Sequence, residues 1–139
     1  IVGRDGAVLS DQWGDEPTAY LGITVPNFPN LFCLYGPGTN LAHGGSLIFH
    51  SECQIRYVMA ALGAVLEGGH RAIEVREEVH DDYNERLQAE LATMVWTHPS
   101  IRHSWYRNDA GKIFILSPWR LVDYWSWTRE PELSEFVLR

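Results

Sequence analysis

The chain is short of positive charge. Its 11 Lys and Arg residues face 18 Asp and Glu, for a formal net charge of -7. No basic stripe is available to neutralise phosphates, which excludes a nucleic-acid binder and argues equally against a role on an anionic membrane surface. Cysteine is scarce too: Cys33 and Cys53 lie on different elements and read as apolar packing residues in a reducing, cytoplasmic compartment. The longest strongly apolar stretch, Ile55 to Leu66, is interrupted by Arg56 and is too short to span a bilayer. The first residues, IVGRDGAVLSD, lack the charged, apolar and small-residue order of a secretory signal, so export is not expected. Seven prolines and twelve glycines are ordinary counts, which argues against disorder and low complexity. Neither an internal repeat nor a clear linker divides the chain.

What is present suffices for one core. With 45% hydrophobic residues in 139, the chain can bury a single compact interior and not two. Ile1 to Leu9 alternates apolar residues about Arg4-Asp5-Gly6 and predicts a hairpin. Asp15 to Asn30, with Pro17, Pro26 and Pro29, reads as an irregular connection. Leu31 to Tyr35 is a continuous apolar run closed by Gly36-Pro37, the pattern of a buried strand.

From Ser46 the period becomes helical. Ile48, Ile55, Met59, Leu62 and Leu66 share one face, with Phe49, Cys53 and Ala60 beside it, and the helix is expected to be largely buried. Gly68-Gly69 ends it. Ala72 to Val75 is a short strand candidate, and a second helix is predicted from about Glu78 to Trp96 through Val79, Tyr83, Leu87, Leu91 and Met94. Pro99 stops that helix. SWYRNDAGKIFIL reads as two strands joined at Asn108 to Gly111, and SPWRLVDYW as a short aromatic helix capped by Ser117 with Pro118 at its first position.

The loop from Gly36 to Ser46 carries the strongest chemical signal. Gly36, Gly38, Gly44 and Gly45 permit positive φ and close backbone approach, and the helix behind them aims N–H groups and its positive end at one spot. Such a device holds electron-rich ligand atoms; an ordinary glycine-rich connection is the competing reading. GPGTNL does not complete G-x-G-x-x-G, and no G-x-x-x-x-G-K-[ST] occurs.

Other clusters are weaker. His43, His50, Glu52 and Cys53 are metal-ligand types, but His50 and Glu52 diverge on a helix, so His50 reads as a packed or hydrogen-bonded residue. His98, Ser100, His103 and Asp109 supply triad residue types without a nucleophile elbow. Glu77, Glu78, Asp81 and Asp82 lack calcium-loop spacing and read as a solvated helix start. Of six tryptophans, Trp105, beside Tyr106, Arg107 and Asn108, is best placed to touch a ligand, while the others read as core or interface anchors.

Taken together, GITVPNFPNLFCLYGPGTN, GGSLIFHSECQIRYV, SWYRNDAGK and SPWRLVDYW resemble the C-terminal part of a class B flavoprotein monooxygenase, a Baeyer–Villiger monooxygenase of the 4-hydroxyacetophenone monooxygenase kind. The resemblance runs over essentially the whole chain. It implies an α/β or α+β segment that completes an FAD domain, in an enzyme using FAD and NADPH to oxygenate a ketone or a sulfide. By the same resemblance Gly36, Pro37, Gly45, Ser46, Leu47 and Trp105 border the cofactors, with the backbone near Ser46 and Leu47 facing the flavin and Trp105 the nicotinamide. Asn40, Leu41 and His43 border the substrate pocket. No catalytic residue is expected here, because the two dinucleotide fingerprints and the family's functional arginine are absent. The chain is therefore expected to be inactive alone, to need FAD and NADP domains that lie elsewhere, and to self-associate through apolar surface those domains would cover. The alternative is a noncatalytic interaction module derived from a flavoprotein fold.

Overall fold

A computed structural model describes residues 1–41, 44–101 and 104–139. In chain order the helices and strands are α1 (Leu9–Trp13), β1 (Asn40–Leu41), α2 (Leu47–Glu67), β2 (Ile73–Val75), α3 (Glu77–Leu91), β3 (Leu116–Ser117), α4 (Leu121–Trp127) and β4 (Phe136–Leu138). The strands described make two small sheets. β1 runs parallel to β3, with Asn40 opposite Leu116, and β2 runs antiparallel to β4, with Ile73 opposite Leu138 and Val75 opposite Phe136. The fold is thus mixed helix and short strand, as the α/β or α+β expectation had it.

The main core joins Tyr57, Ala61 and Val65 of α2 to Tyr83, Leu87 and Leu91 of α3, with Val75, Leu116, Tyr124 and Phe136 closing it. The proline-rich segment expected to be a mere connection contributes to it. Tyr20, Leu21 and Ile23 enter this core, while Ala19, Val25 and Phe28 pack with Leu9 in a second cluster. Its backbone is irregular, but its side chains are interior.

A carboxylate ties the chain's ends together. Glu74, in the middle of β2 and 5% exposed, accepts bonds from Arg4 Nη2 (3.2 Å), from the Arg139 guanidinium and from the Asn27 N–H (3.0 Å). Burial alone would raise its pKa, but these donors outweigh it and hold the carboxyl below its ordinary value.

Several local expectations are corrected. The first segment makes a single bridge, Val2 with Val8, around a 3-10 turn at Arg4–Gly6, and then enters α1 directly. Leu31 to Tyr35 is not a strand. Asn30 (φ 60°) and Tyr35 (φ 53°) bend the backbone at each end, and Cys33 makes one bond, N–H to the Ile23 carbonyl. α3 stops at Leu91, where the Thr97 hydroxyl folds back onto the Met94 carbonyl (2.7 Å) after a 3-10 turn. The turn at Asn108 to Gly111 forms as expected, but among the described residues its flanks make a single bridge, Arg107 with Ile113, in place of two strands. Ser117 sits in β3, and Arg120 is the residue that precedes α4.

The largest correction concerns α2. Ser46 accepts from the Phe49 N–H as an N-cap should, but the helix is turned the other way from the expected burial. His50, Cys53, Gln54, Tyr57, Ala61 and Val65 face the core. The row of large aliphatics faces out: Ile48 is 65% exposed, Met59 63% and Leu66 78%, with Ile55 and Leu62 between them. Periodicity identified an apolar stripe; it could not tell which of two non-polar faces this chain would cover.

Candidate functional site

The Gly36–Ser46 loop is fastened at its start by hydrogen bonds. The Tyr35 N–H donates to Gln54 Oε1 (2.6 Å), and the Thr39 hydroxyl donates to the Gly36 carbonyl (2.6 Å). Gly38 N–H reaches the Phe114 carbonyl (3.0 Å) and Asn40 N–H the Ile115 carbonyl (2.9 Å), which brings the loop into register with β3. The Tyr35 hydroxyl then bonds Asn40 Oδ1 (3.0 Å). Gly36 has a packing reason to be glycine, since a Cβ there would lie 2.4 Å from the Gly22 carbonyl oxygen.

At the loop's end stands the α2 N-terminus, with the side chains of Leu47 and Ile48 exposed. Ser46 satisfies the Phe49 N–H, and His50 N–H begins the intrahelical ladder on the Ser46 carbonyl. The N–H groups of Leu47 and Ile48 have no acceptor within the helix. α2 has no acidic residue in its first turn, so its positive end is not neutralised; α3 by contrast carries Glu77 and Glu78 there. Gly45 (φ 143°) approaches so closely that a Cβ would meet Leu121 Cδ1 at 2.8 Å and Leu41 Cδ1 at 3.1 Å. Ser46 and Phe49 of this end, with Leu121, Val122 and Trp125 of α4, line an open apolar hollow of about 530 Å³.

The expected site residues fall into three neighbouring patches. Gly36, Pro37 and Asn40 share a hollow of about 600 Å³ with Trp13, Leu34 and Phe114. Gly45 and Ser46 border the α4 hollow; Leu47 projects from the adjoining first turn, exposed, and Leu41 packs under Gly45. Trp105, 90% exposed, stands over a third hollow of about 410 Å³ with Glu16, Arg107 and Asn108. Phe114 borders both this hollow and that of Asn40. His43, expected at the substrate pocket, lies outside the described residues.

His50 is packed, as the sequence suggested. It is fully buried, stacks on Tyr124 with ring centroids 3.7 Å apart, and neither ring nitrogen has a hydrogen-bond partner among the described residues. Burial pushes its pKa down to about 4. No metal-binding group of three His, Cys, Asp or Glu residues occurs among those described. His98 Nδ1 does lie 2.7 Å from the Ser100 hydroxyl, in an exposed local turn.

No protein-family model matches the chain. A monooxygenase of Sinorhizobium fredii is 42% identical over 137 residues, 98% of this chain and 20% of that protein. An FAD-binding monooxygenase of Aspergillus niger is 37% identical, covering 100% of this chain and 23% of the relative. A Baeyer–Villiger monooxygenase of Pseudomonas aeruginosa is also 37% identical, covering 99% and 26%. The solved structure of oxidised steroid monooxygenase bound to NADP superposes with a TM-score of 0.81 at 27% identity, over 99% of this chain and 26% of that one. This chain corresponds to the C-terminal part of a Baeyer–Villiger monooxygenase. It spans about a quarter of the length of the curated relatives it matches.

In this Baeyer–Villiger segment other residues pack behind the loop without a local sequence signal. A polar residue on a helix is ordinarily solvated, yet Gln54 is fully buried and accepts from the Tyr35 N–H. Leu121, Val122 and Trp125 have the pattern of an aromatic helix, and nothing local places them beside Ser46.

Proposed function

We propose that the protein containing this segment is an FAD- and NADPH-dependent monooxygenase that inserts oxygen beside a ketone carbonyl or transfers it to a sulfur atom, and that this segment forms one wall of its flavin and substrate pocket. The observation that carries the reading is the α2 N-terminus. Two first-turn N–H groups without an intrahelical acceptor, a positive helix end without a first-turn acid, and a glycine at the approach fit the electron-rich edge of a flavin ring. When bound, the flavin and the nicotinamide supply the oxygen activation and the reducing equivalents.

The residues of this chain bind, orient and exclude water. Ser46 and Leu47 would meet the flavin edge through the backbone, with Gly45 leaving room for its approach; Gly36 and Pro37 hold the start of the loop in place. Asn40 and Leu41, with His43 by resemblance, would shape the ketone or sulfide side. Trp105, exposed on a segment joined through Phe114 to the same surface, is placed to cover a nicotinamide. Apolar walls at α4 and at Leu34 and Phe114 keep water from the reacting centre.

The remainder of the polypeptide supplies the FAD and NADP domains in this reading, and the isolated chain is inactive. A cytoplasmic location is proposed with it, supported by two free thiols; no helix among the described residues is long and apolar enough to cross a membrane. The test is oxygenation by the full-length, FAD-loaded protein, followed as NADPH oxidation and as product by mass spectrometry with a panel of ketones and sulfides. Ester or sulfoxide formation is expected. A folded, FAD-loaded protein that consumes NADPH without forming any oxygenated product overturns the reading.

A further inference from the structure

We infer that Gln54 is a positioning residue for ketone binding, acting through Tyr35 on Asn40. The inference rests on the reading above that the Gly36–Ser46 loop borders the substrate. A primary amide is an expensive group to bury unless both ends are satisfied. Gln54, with no exposed surface, is satisfied at both. Its Oε1 accepts the Tyr35 N–H at 2.6 Å, its Nε2 donates to the Tyr124 hydroxyl at 2.9 Å, and that hydroxyl donates onward to the Leu21 carbonyl at 2.6 Å. One side chain in the second turn of α2 thereby joins the loop, α4 and the buried coil near Leu21.

Tyr35 explains why the amide is needed. Its φ of 53° is a conformation that non-glycine residues adopt at a cost, and it occurs where the expected strand breaks. Turned this way, Tyr35 aims its N–H at the core, where Gln54 Oε1 accepts it, and its hydroxyl at Asn40 Oδ1, 3.0 Å away. The His50 ring, stacked on Tyr124 and edge-on to Tyr35 at 6.5 Å, fills the space between them. With Oδ1 engaged, the Asn40 amide has its NH₂ left to donate, and a ketone carbonyl is an acceptor of matching kind. Gln54 thus sets the backbone of Tyr35, Tyr35 sets the amide of Asn40, and Asn40 meets the substrate.

The test uses the full-length holoenzyme. Gln54→Met keeps the side-chain length and removes both bonds; Tyr35→Phe removes only the hydroxyl bond to Asn40. With FAD content unchanged, both are expected to raise the ketone KM about tenfold, the loss of one useful hydrogen bond, and to divert more NADPH consumption into hydrogen peroxide. The double variant should be no worse than the poorer single one, because both act along one path. Hydrogen–deuterium exchange reads the same point without turnover: Gln54→Met should speed exchange at amides 35–41 about tenfold while the middle of α2 stays protected. A wild-type enzyme without oxygenated product refutes the reaction assignment, and the exchange result then decides the positioning by itself. Unchanged exchange at 35–41, or a ketone KM and product yield in Gln54→Met within twofold of wild type, overturns the inference.

Discussion

Replacing His50 with phenylalanine should stabilise the fold. His50 is fully enclosed, its ring lies on Tyr124, and both nitrogens lack a partner among the described residues. An orphaned buried polar group costs roughly 1–3 kcal/mol. Phenylalanine keeps the stacked ring and removes that cost, at an overpacking penalty of up to about 1.5 kcal/mol for the slightly larger ring. A net gain of about 1 kcal/mol is expected near neutral pH. A second consequence is sharper in acid. The folded imidazole titrates at about 4 and the ordinary one at 6.5, so the unfolded chain takes up a proton in a range where the folded chain does not. Stability therefore falls as pH drops from about 6.5 towards 4, by roughly 3 kcal/mol in full and about 2 kcal/mol at pH 5. The variant lacks this term. Urea denaturation followed by far-ultraviolet circular dichroism near pH 7 and near pH 5 measures both effects. A variant less stable than wild type by about 1 kcal/mol at neutral pH, or one losing as much stability on acidification as wild type, refutes the account of His50 as neutral and unpartnered.

The other predictions concern the loop, the terminal clamp and the exposed face of α2. Gly45→Ala forces a side chain into a positive-φ position 2.8 Å from Leu121; a loss of about 1–2 kcal/mol is expected in urea denaturation, and an unchanged midpoint would contradict the close approach. Glu74→Gln removes the charge to which Arg4 and Arg139 are bound and should cost about 2 kcal/mol near neutral pH, less than a fully buried pair because the arginines are partly solvated. Glu74 has a depressed pKa, so its stabilisation is present above the ordinary carboxylate range and fades as pH falls through the folded value. A Gln variant that retains the wild-type stability at neutral pH would show that the clamp contributes nothing. The isolated chain should self-associate through the outward row of Ile48, Ile55, Met59 and Leu66, and Met59→Glu should weaken this; sedimentation velocity showing a monomer for wild type at high concentration would exclude it.

How far the chain could be read depended on where each residue's partners lay. Ser46 as a cap, the Asn108–Gly111 turn, the acidic start of α3 and its Tyr83, Leu87 and Leu91 stripe rest on contacts within a few residues, and all are present. The glycine-rich entrance to α2 was legible for the same reason. Leu31 to Tyr35 has the composition of a strand, but a strand requires a continuous neighbour, and the N–H groups of this run go to scattered partners, Leu31 to the Phe28 carbonyl, Cys33 to the Ile23 carbonyl and Tyr35 to Gln54 Oε1. The missed β4 pairs with β2 from more than sixty residues away, a partnership that no local pattern announces.

By itself, then, the sequence determined the existence of α2, α3 and α4, the capped and glycine-lined loop, the shortage of basic residues, and the monooxygenase resemblance, because each is encoded in short spacings or continuous motifs, whereas the short α1 carried no such pattern. The tertiary structure decided which face of α2 is buried, that Glu74 clamps both ends of the chain, and that Gln54 reaches Tyr35 and Tyr124. Burial and hydrogen-bond satisfaction belong to pairs of residues brought together from distant positions, and the sign of each such contact is settled only when the elements pack.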